Sequence, residues 1–238
     1  SILTCLISEG GSDWRKAITI DTQTKLELTT TLTDLKFTGI SWLSNTGFYY
    51  STYDKPEGSQ LSAKTDQHKL YFHTLGTAQK EDNLIFGGIT TEKHRYIGGN
   101  VTEDDKFLVV EATNTTSGNK LYIKDLTNPN GTFVTVLDNA NSDISLLSNN
   151  ENLMLFETNL NAPNKRVVAI DANKPSLENW QDVIPETCHV RSTVTELCLH
   201  THLSLQPSFR PSIPEFVKLV VAITLLYTFN FNAISCRI

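Results

Sequence analysis

The sequence has 238 residues, of which 39% are hydrophobic and 19% charged, so its composition is that of a folded domain rather than a disordered chain. Its formal net charge is −6 and it has no dense run of Lys and Arg. Both features exclude the usual kind of nucleic-acid-binding protein, because phosphate affinity comes from clustered cations.

Strand-like runs rich in Val, Ile, Phe, Tyr and Thr recur along the first three quarters of the chain. Three first runs lie at 47–53, 106–111 and 153–158, and three second runs lie at 69–73, 121–124 and 166–170. The second runs repeat after about 45 to 50 residues, the period of a four-stranded propeller blade. We therefore predict an all-β fold, a partial β-propeller of three to four blades: one that ends near residue 35, then 36–90, 95–140 and 143–186.

The chain divides into two unlike parts at residue 187. Residues 1–187 contain 16 Lys and Arg against 24 Asp and Glu, whereas residues 188–238 contain 4 against 2. All 12 Gly lie before residue 188, and the second part has no Asp. Because β-rich folds rely on Gly and Asp for their turns, we predict that 1–187 is the propeller domain. We predict that 188–238 is a divergent, poorly ordered tail, and our hypothesis is that a frameshift or misjoined reading frame produced it.

The Cys and His residues do not predict a metal site or a disulfide framework. The main body has Cys5 alone, and the tail has Cys188, Cys198 and Cys236. The tail also has His189, His200 and His202, but their spacing relative to the cysteines fits no zinc motif. We expect no metal. We assign His68 and His73 to loop or surface packing, and the acidic run 103–105 to a solvated hairpin tip.

Several segments, in the same order along the chain, carry a family resemblance. They are SEGGSDWRKAITID (8–21), GISWLSNTGFYYSTYDKPEG (39–58), HKLYFHTLGTAQKEDNLIF (68–86), KLYIKDL (120–126), TNLNAPNKRVVAID (158–171) and ENWQDVIPE (178–186). Together they resemble the N-terminal β-propeller domain of the prolyl oligopeptidase (prolyl endopeptidase) family. The resemblance covers about residues 3–187.

The resemblance implies a seven-bladed propeller beside an α/β-hydrolase domain, and an activity that hydrolyses short peptides after proline. The family's Ser, His and Asp belong to the hydrolase domain. This sequence has no G-x-S-x-G motif, and Ser12 lies where the family has a blade strand. We therefore expect a fragment of a serine endopeptidase that has no catalytic residue, needs no cofactor and is inactive alone.

The implied role of the propeller is to gate substrate access by size. The expected partners are short proline-containing peptides and the enzyme's own hydrolase domain, with no nucleic acid. The apolar tail segment 219–234 is shorter than a membrane span, so we expect no membrane partner. We expect the natural N-terminus to be missing from this sequence, and the expected compartments are the cytoplasm and the periplasm.

Tyr49 is the one candidate substrate-binding residue. It matches an aromatic residue that the family places near the substrate cavity, and an aromatic ring with a hydroxyl suits a peptide side chain. The other interpretation is that Tyr49 only alternates with Phe48 and Tyr50 along a strand. An alternative function also stays open, since many propellers are non-catalytic modules that bind peptides or proteins.

Overall fold

The computed structural model describes residues 1–28, 31–54 and 65–186, which form four antiparallel sheets. We call the sheets blades 1 to 4. Blade 1 contains β1 (Ile2–Ser8), β2 (Trp14–Asp21) and β3 (Leu32–Lys36). Blade 2 contains β4 (Ser41–Leu43), β5 (Gly47–Thr52), β6 (Lys69–Thr74) and β7 (Asn83–Gly87).

Blades 3 and 4 repeat the same four-stranded pattern. Blade 3 contains β8 (Tyr96–Val101), β9 (Phe107–Thr113), β10 (Lys120–Asp125) and β11 (Val134–Leu137). Blade 4 contains β12 (Ile144–Asn150), β13 (Leu153–Thr158), β14 (Arg166–Asp171) and β15 (Gln181–Ile184). In each blade every strand pairs with the next one in sequence, and the helical turns among the described residues are the 3₁₀ segments Gln79–Glu81 and Leu177–Asn179.

The predicted repeat is confirmed. Blades 2, 3 and 4 fall inside the predicted ranges 36–90, 95–140 and 143–186, and blade 1 ends at Lys36. The first runs of the sequence are the strands β5, β9 and β13, each of which lies inside its sheet. Their residues are mostly buried, β5 over its whole length. A strand that is covered on both faces has few polar positions, so each of these runs consists mostly of consecutive hydrophobic residues.

Residues 1–141 form one compact unit, which contains blades 1 to 3. Strand β5 supplies side chains to two hydrophobic clusters of this unit, because successive side chains of a strand point to opposite faces. Phe48 and Tyr50 pack with Ala17, Leu32 and Leu35 of blade 1. Tyr49 packs on the other side with a cluster from blades 2 and 3 that includes Leu70, Ile97, Leu108, Val110, Ala112 and Tyr122.

The second unit begins at Ser142, and the structure describes residues 142–186 of it. Blade 4 has a core of its own, built on Leu155, Val167 and Ala169. A polar clasp closes its first hairpin: the Asp143 amide donates to Asn159 Oδ1 at 2.7 Å, and the Thr158 hydroxyl donates to the Asp143 carbonyl at 2.7 Å. These contacts all lie within blade 4.

The predicted divergent tail, 188–238, lies outside the described residues, and so do its Cys and His residues and the apolar segment 219–234. The proposed frameshift and the domain boundary at 187 stay predictions. Within the part of the chain that the structure describes, no helix is long and apolar enough to cross a membrane.

Candidate functional site at the seams between blades

Tyr49 lies between blades 2 and 3 and is only 5% exposed. Its ring stands 4.8 Å from the ring of Phe72, its cross-strand partner on β6. Burial raises the pKa of the Tyr49 hydroxyl. The side chain alternates with Phe48 and Tyr50, as the packing interpretation expects, and its predicted contact with substrate stays a prediction.

His68 joins three neighbouring blades. It comes directly before β6 and is fully buried. Its Nδ1 accepts a hydrogen bond from the Ile97 amide of blade 3 at 2.9 Å, and its Nε2 lies 3.0 Å from the Lys36 carbonyl oxygen of blade 1. A carbonyl oxygen only accepts, so Nε2 carries the proton and the ring is neutral. Burial lowers the pKa of His68 to about 4.

Tyr53 covers the His68 ring. The two ring centroids are 4.4 Å apart, and the Tyr53 hydroxyl donates to the Arg95 carbonyl oxygen at 2.5 Å. The backbone adds another link, because the His68 amide donates to the His94 carbonyl oxygen at 2.8 Å. The end of β5 and the start of β6 are therefore fixed to the segment that leads into β8.

A second buried network lies inside blade 2. The Asp82 carboxylate is 1% exposed. Its Oδ1 lies 2.8 Å from His73 Nδ1, and its Oδ2 accepts a hydrogen bond from the Tyr50 hydroxyl at 2.8 Å. A buried carboxylate is tolerated only where donors satisfy its oxygens. Burial and the negative charge of Asp82 raise the pKa of Tyr50. The network thus fixes β5, β6 and the start of β7 to one another.

His68 lies in the loop before β6, as loop packing predicts, whereas His73 lies on β6. Surface packing is wrong for both residues, which are 0% and 2% exposed and whose rings have hydrogen-bond partners inside the protein. Ser12 also differs from its prediction: it lies in the turn between β1 and β2, where its hydroxyl accepts from the Trp14 amide at 3.1 Å.

Gln79 fastens blade 2 to blade 1. Its side-chain amide makes both hydrogen bonds of a β-bridge with Thr33: Oε1 accepts from the Thr33 amide at 3.0 Å, and Nε2 donates to the Thr33 carbonyl at 2.9 Å. Thr33 lies on β3, the last strand of blade 1, so Gln79 satisfies backbone groups at an open sheet edge.

Two serines fasten blade 2 to blade 3. Ser41 accepts a hydrogen bond from the Val101 amide at 2.8 Å. The Ser44 amide donates to Asp105 Oδ1 at 3.2 Å, and the Ser44 hydroxyl donates to Asp105 Oδ2. The acidic run 103–105 is therefore more than a solvated hairpin tip, since Asp105 binds the neighbouring blade. In the described ranges, no group of three or more His, Cys, Asp or Glu side chains could hold a metal ion.

A cleft lined by polar residues lies beside blades 2 and 3. Its volume is about 480 Å³, and Thr65, Asp66, Arg95 and Asn114 line it. The Arg95 amide donates to Asn114 Oδ1 at 2.9 Å, and Lys93 forms an ion pair with Asp66 at 3.2 Å. No local sequence pattern predicts this cleft, because its lining residues lie on segments that only the fold brings together.

The chain matches the family described as "Prolyl oligopeptidase, N-terminal beta-propeller domain" over residues 2–204. The match reaches beyond the predicted boundary at 187. A prolyl endopeptidase of Elizabethkingia meningoseptica is 50% identical over 182 residues, which are 76% of this chain and 26% of that protein. Prolyl oligopeptidase A of Amanita bisporigera is 30% identical over 166 residues, 64% of this chain and 21% of that protein.

Solved structures show the same fold. A structure from a study of two prolyl endopeptidases matches with a TM-score of 0.70 at 23% identity, over 78% of this chain and 26% of that chain. Prolyl oligopeptidase B of Galerina marginata, bound to a 35mer substrate, matches with a TM-score of 0.69 at 24% identity, over 78% and 28% of the two chains. The predicted partial β-propeller is thus confirmed, and the chain spans about a quarter of the length of these relatives.

Proposed function

The chain belongs to the prolyl oligopeptidase family, within which it matches the N-terminal β-propeller domain, and on that premise we propose that its blades are part of a gate that admits short peptides to a serine peptidase. The peptidase would hydrolyse short peptides after proline. Its Ser, His and Asp would lie in an α/β-hydrolase domain, and this chain would be inactive without that domain.

The observation that supports this proposal most strongly is the three-blade contact of His68. A size filter needs blades that do not separate when a large polypeptide presses between them. The two ring nitrogens of His68 contact blade 1 at 3.0 Å and blade 3 at 2.9 Å. Gln79 adds hydrogen bonds to blade 1, and Ser41 and Ser44 add hydrogen bonds to blade 3. Buried, fully bonded polar groups favour one arrangement of the blades over looser ones.

The described blades supply structure to this gate rather than chemistry. The His73, Asp82 and Tyr50 network is enclosed within blade 2, and its groups bond to one another. A role for Tyr49 in substrate binding would require its ring to leave the cluster between blades 2 and 3, so its burial supports packing. The compartments that we propose are the cytoplasm or the periplasm.

A domain-replacement experiment tests the proposal. The 182-residue segment of the Elizabethkingia meningoseptica prolyl endopeptidase that this chain matches would be replaced with the corresponding residues of this chain. We expect the chimera to cleave a short peptide after proline and to reject a long unfolded polypeptide that contains the same cleavage sequence. A folded chimera that cleaves both at equal rates would contradict the gate, and the unmodified relative is the control.

A further inference from the structure

A cluster of three aromatic rings, one of them exposed, lies where blades 1, 2 and 3 meet. We call it the aromatic ledge and define it by Phe37, Tyr53 and Tyr96. The Phe37 ring contacts Tyr96 edge to face, with centroids 5.4 Å apart, and lies 6.3 Å from Tyr53. Tyr53 is buried beneath, whereas Phe37 is 44% exposed. The ledge therefore has a buried base and an exposed apolar top.

The backbone of Phe37 is strained. Its φ is +53°, in the left-handed region that Gly and Asn adopt easily and a bulky side chain does not. Such a conformation costs about 1 to 3 kcal/mol and persists where other contacts enforce it. Glycine would make this turn at lower cost, and the Phe37 ring is not deeply buried. Turn formation alone therefore does not explain an aromatic residue at this position.

Two cations flank the ledge. Lys36 Nζ lies 5.1 Å from the centroid of the Phe37 ring, and the Arg95 guanidinium lies 5.6 Å from that of Tyr96. Arg95 also lines the polar cleft of about 480 Å³ with Thr65, Asp66 and Asn114. The ledge and the cleft thus share Arg95. The apolar surface lies beside a cleft in which the Arg95 guanidinium is a donor, Thr65 and Asn114 can donate or accept, and the Asp66 carboxylate is paired with Lys93.

We propose that the aromatic ledge and the adjoining cleft bind an extended, proline-containing peptide. A proline ring would pack on Phe37, as proline-rich segments do on aromatic-lined grooves. Arg95 would bind the carboxylate at the carboxyl end of the peptide, with Asn114 and Thr65 as further hydrogen-bonding groups. This inference rests on the proposed function and gives the gate a surface that holds substrate peptides before they reach the peptidase.

Peptide binding to the 238-residue chain tests this proposal by fluorescence anisotropy. The probe is a dye-labelled (Ala-Pro)4 peptide with a free carboxylate, compared with an all-alanine peptide and with the carboxyl-terminal amide. We expect the first peptide to bind more tightly than both others. Phe37→Asn, which keeps a residue suited to the left-handed turn, should weaken its binding about tenfold or more.

Arg95→Gln should remove the advantage of the free carboxylate over the amide. The matched controls are Leu26→Asn, which removes an exposed apolar side chain from a remote turn, and Arg15→Gln, which removes an exposed cation from β2. Both should bind the probe like the unmodified chain. Circular dichroism of each variant confirms that it is folded before its affinity is compared.

Three results would overturn the inference: equal affinity for the proline and alanine peptides, unchanged affinity in folded Phe37→Asn, or no binding at all. This assay involves no hydrolysis, so its failure differs from that of the gate. If the chain binds the peptide but the chimera shows no size selection, the gate proposal is wrong and the peptide-binding proposal stands. If the chimera shows size selection but the chain binds no peptide, the gate proposal stands and the peptide-binding proposal is wrong.

Discussion

The imidazole of His68 accepts a hydrogen bond from the backbone amide of Ile97, with 2.9 Å between Nδ1 and the amide nitrogen. The residues are 29 positions apart and belong to different blades. This contact exists only while Nδ1 is unprotonated, because a protonated nitrogen would face another donor. This contact between blades 2 and 3 therefore requires the neutral form of His68.

His68 should make the stability of the chain depend on pH. Its pKa is about 4 in the folded protein, against 6.5 for an ordinary histidine, so the unfolded chain binds a proton that the folded one excludes between these values. The stabilisation is present above about pH 6.5 and is lost as the pH falls towards 4, with a total on the order of 3 kcal/mol.

Urea unfolding at about pH 7 and about pH 4.5 measures this effect. His68→Leu should be less stable at pH 7, because it leaves the Ile97 amide and the Lys36 carbonyl unpaired, each at about 1 to 3 kcal/mol. It should also lose less stability than the unmodified chain on acidification. The same loss on acidification in both proteins would exclude His68 as its source.

Asp82→Ala should destabilise the first unit strongly. It leaves the Tyr50 hydroxyl and His73 Nδ1 without their acceptor in a buried site, at about 3 to 5 kcal/mol for a broken buried pair. Asp138→Ala is the control: its carboxylate is 77% exposed, its ion pair with Lys120 is at the surface, and its loss should cost at most about 1 kcal/mol. Thermal melts would contradict the account if both substitutions had the same small effect.

Gln79→Ala should loosen the seam between blades 1 and 2. It removes two hydrogen bonds to Thr33, each with a net contribution of about 1 kcal/mol, and should speed hydrogen exchange of the Thr33 amide. Gln79→Glu is the matched variant, since it keeps an acceptor for that amide and replaces the donor to the Thr33 carbonyl with a second acceptor. An unchanged hydrogen-exchange rate of the Thr33 amide in Gln79→Ala would show that the Gln79 hydrogen bonds do not hold blades 1 and 2 together.

Gly47→Ala should destabilise blade 2 by steric conflict. A Cβ at this position would lie 2.0 Å from the His73 carbonyl oxygen and 2.9 Å from Phe72 Cζ. Because β5 and β6 cannot separate without losing their ladder, we expect a cost of about 1 to 3 kcal/mol or more. Gly98→Ala, with no heavy atom within 4 Å of its added Cβ, should be close to neutral. Equal stability of the two variants, measured by urea unfolding, would contradict this packing.

The sequence predicted the blades well and the seams poorly, for a physical reason. Inner strands such as β9 are covered on both faces, so their apolar runs are visible in the sequence. His68, by contrast, contacts Lys36 and Ile97 at separations of 32 and 29 residues, and no local pattern encodes those partners. Tyr49 shows the same limit: its alternation with Phe48 was evident, but only the fold shows that its ring faces blade 3.

The size selectivity of the chimera, with its seams intact and then weakened, tests the central claim most directly. The quantity is the ratio of kcat/KM for the short proline-containing peptide to that for the long unfolded polypeptide. We predict a high ratio in the chimera, and a ratio that falls towards one when His68→Leu and Gln79→Ala are combined, with cleavage of the short peptide retained. A ratio that stays high in a folded double variant would contradict the claim that the His68 and Gln79 hydrogen bonds between blades are needed to exclude long polypeptides.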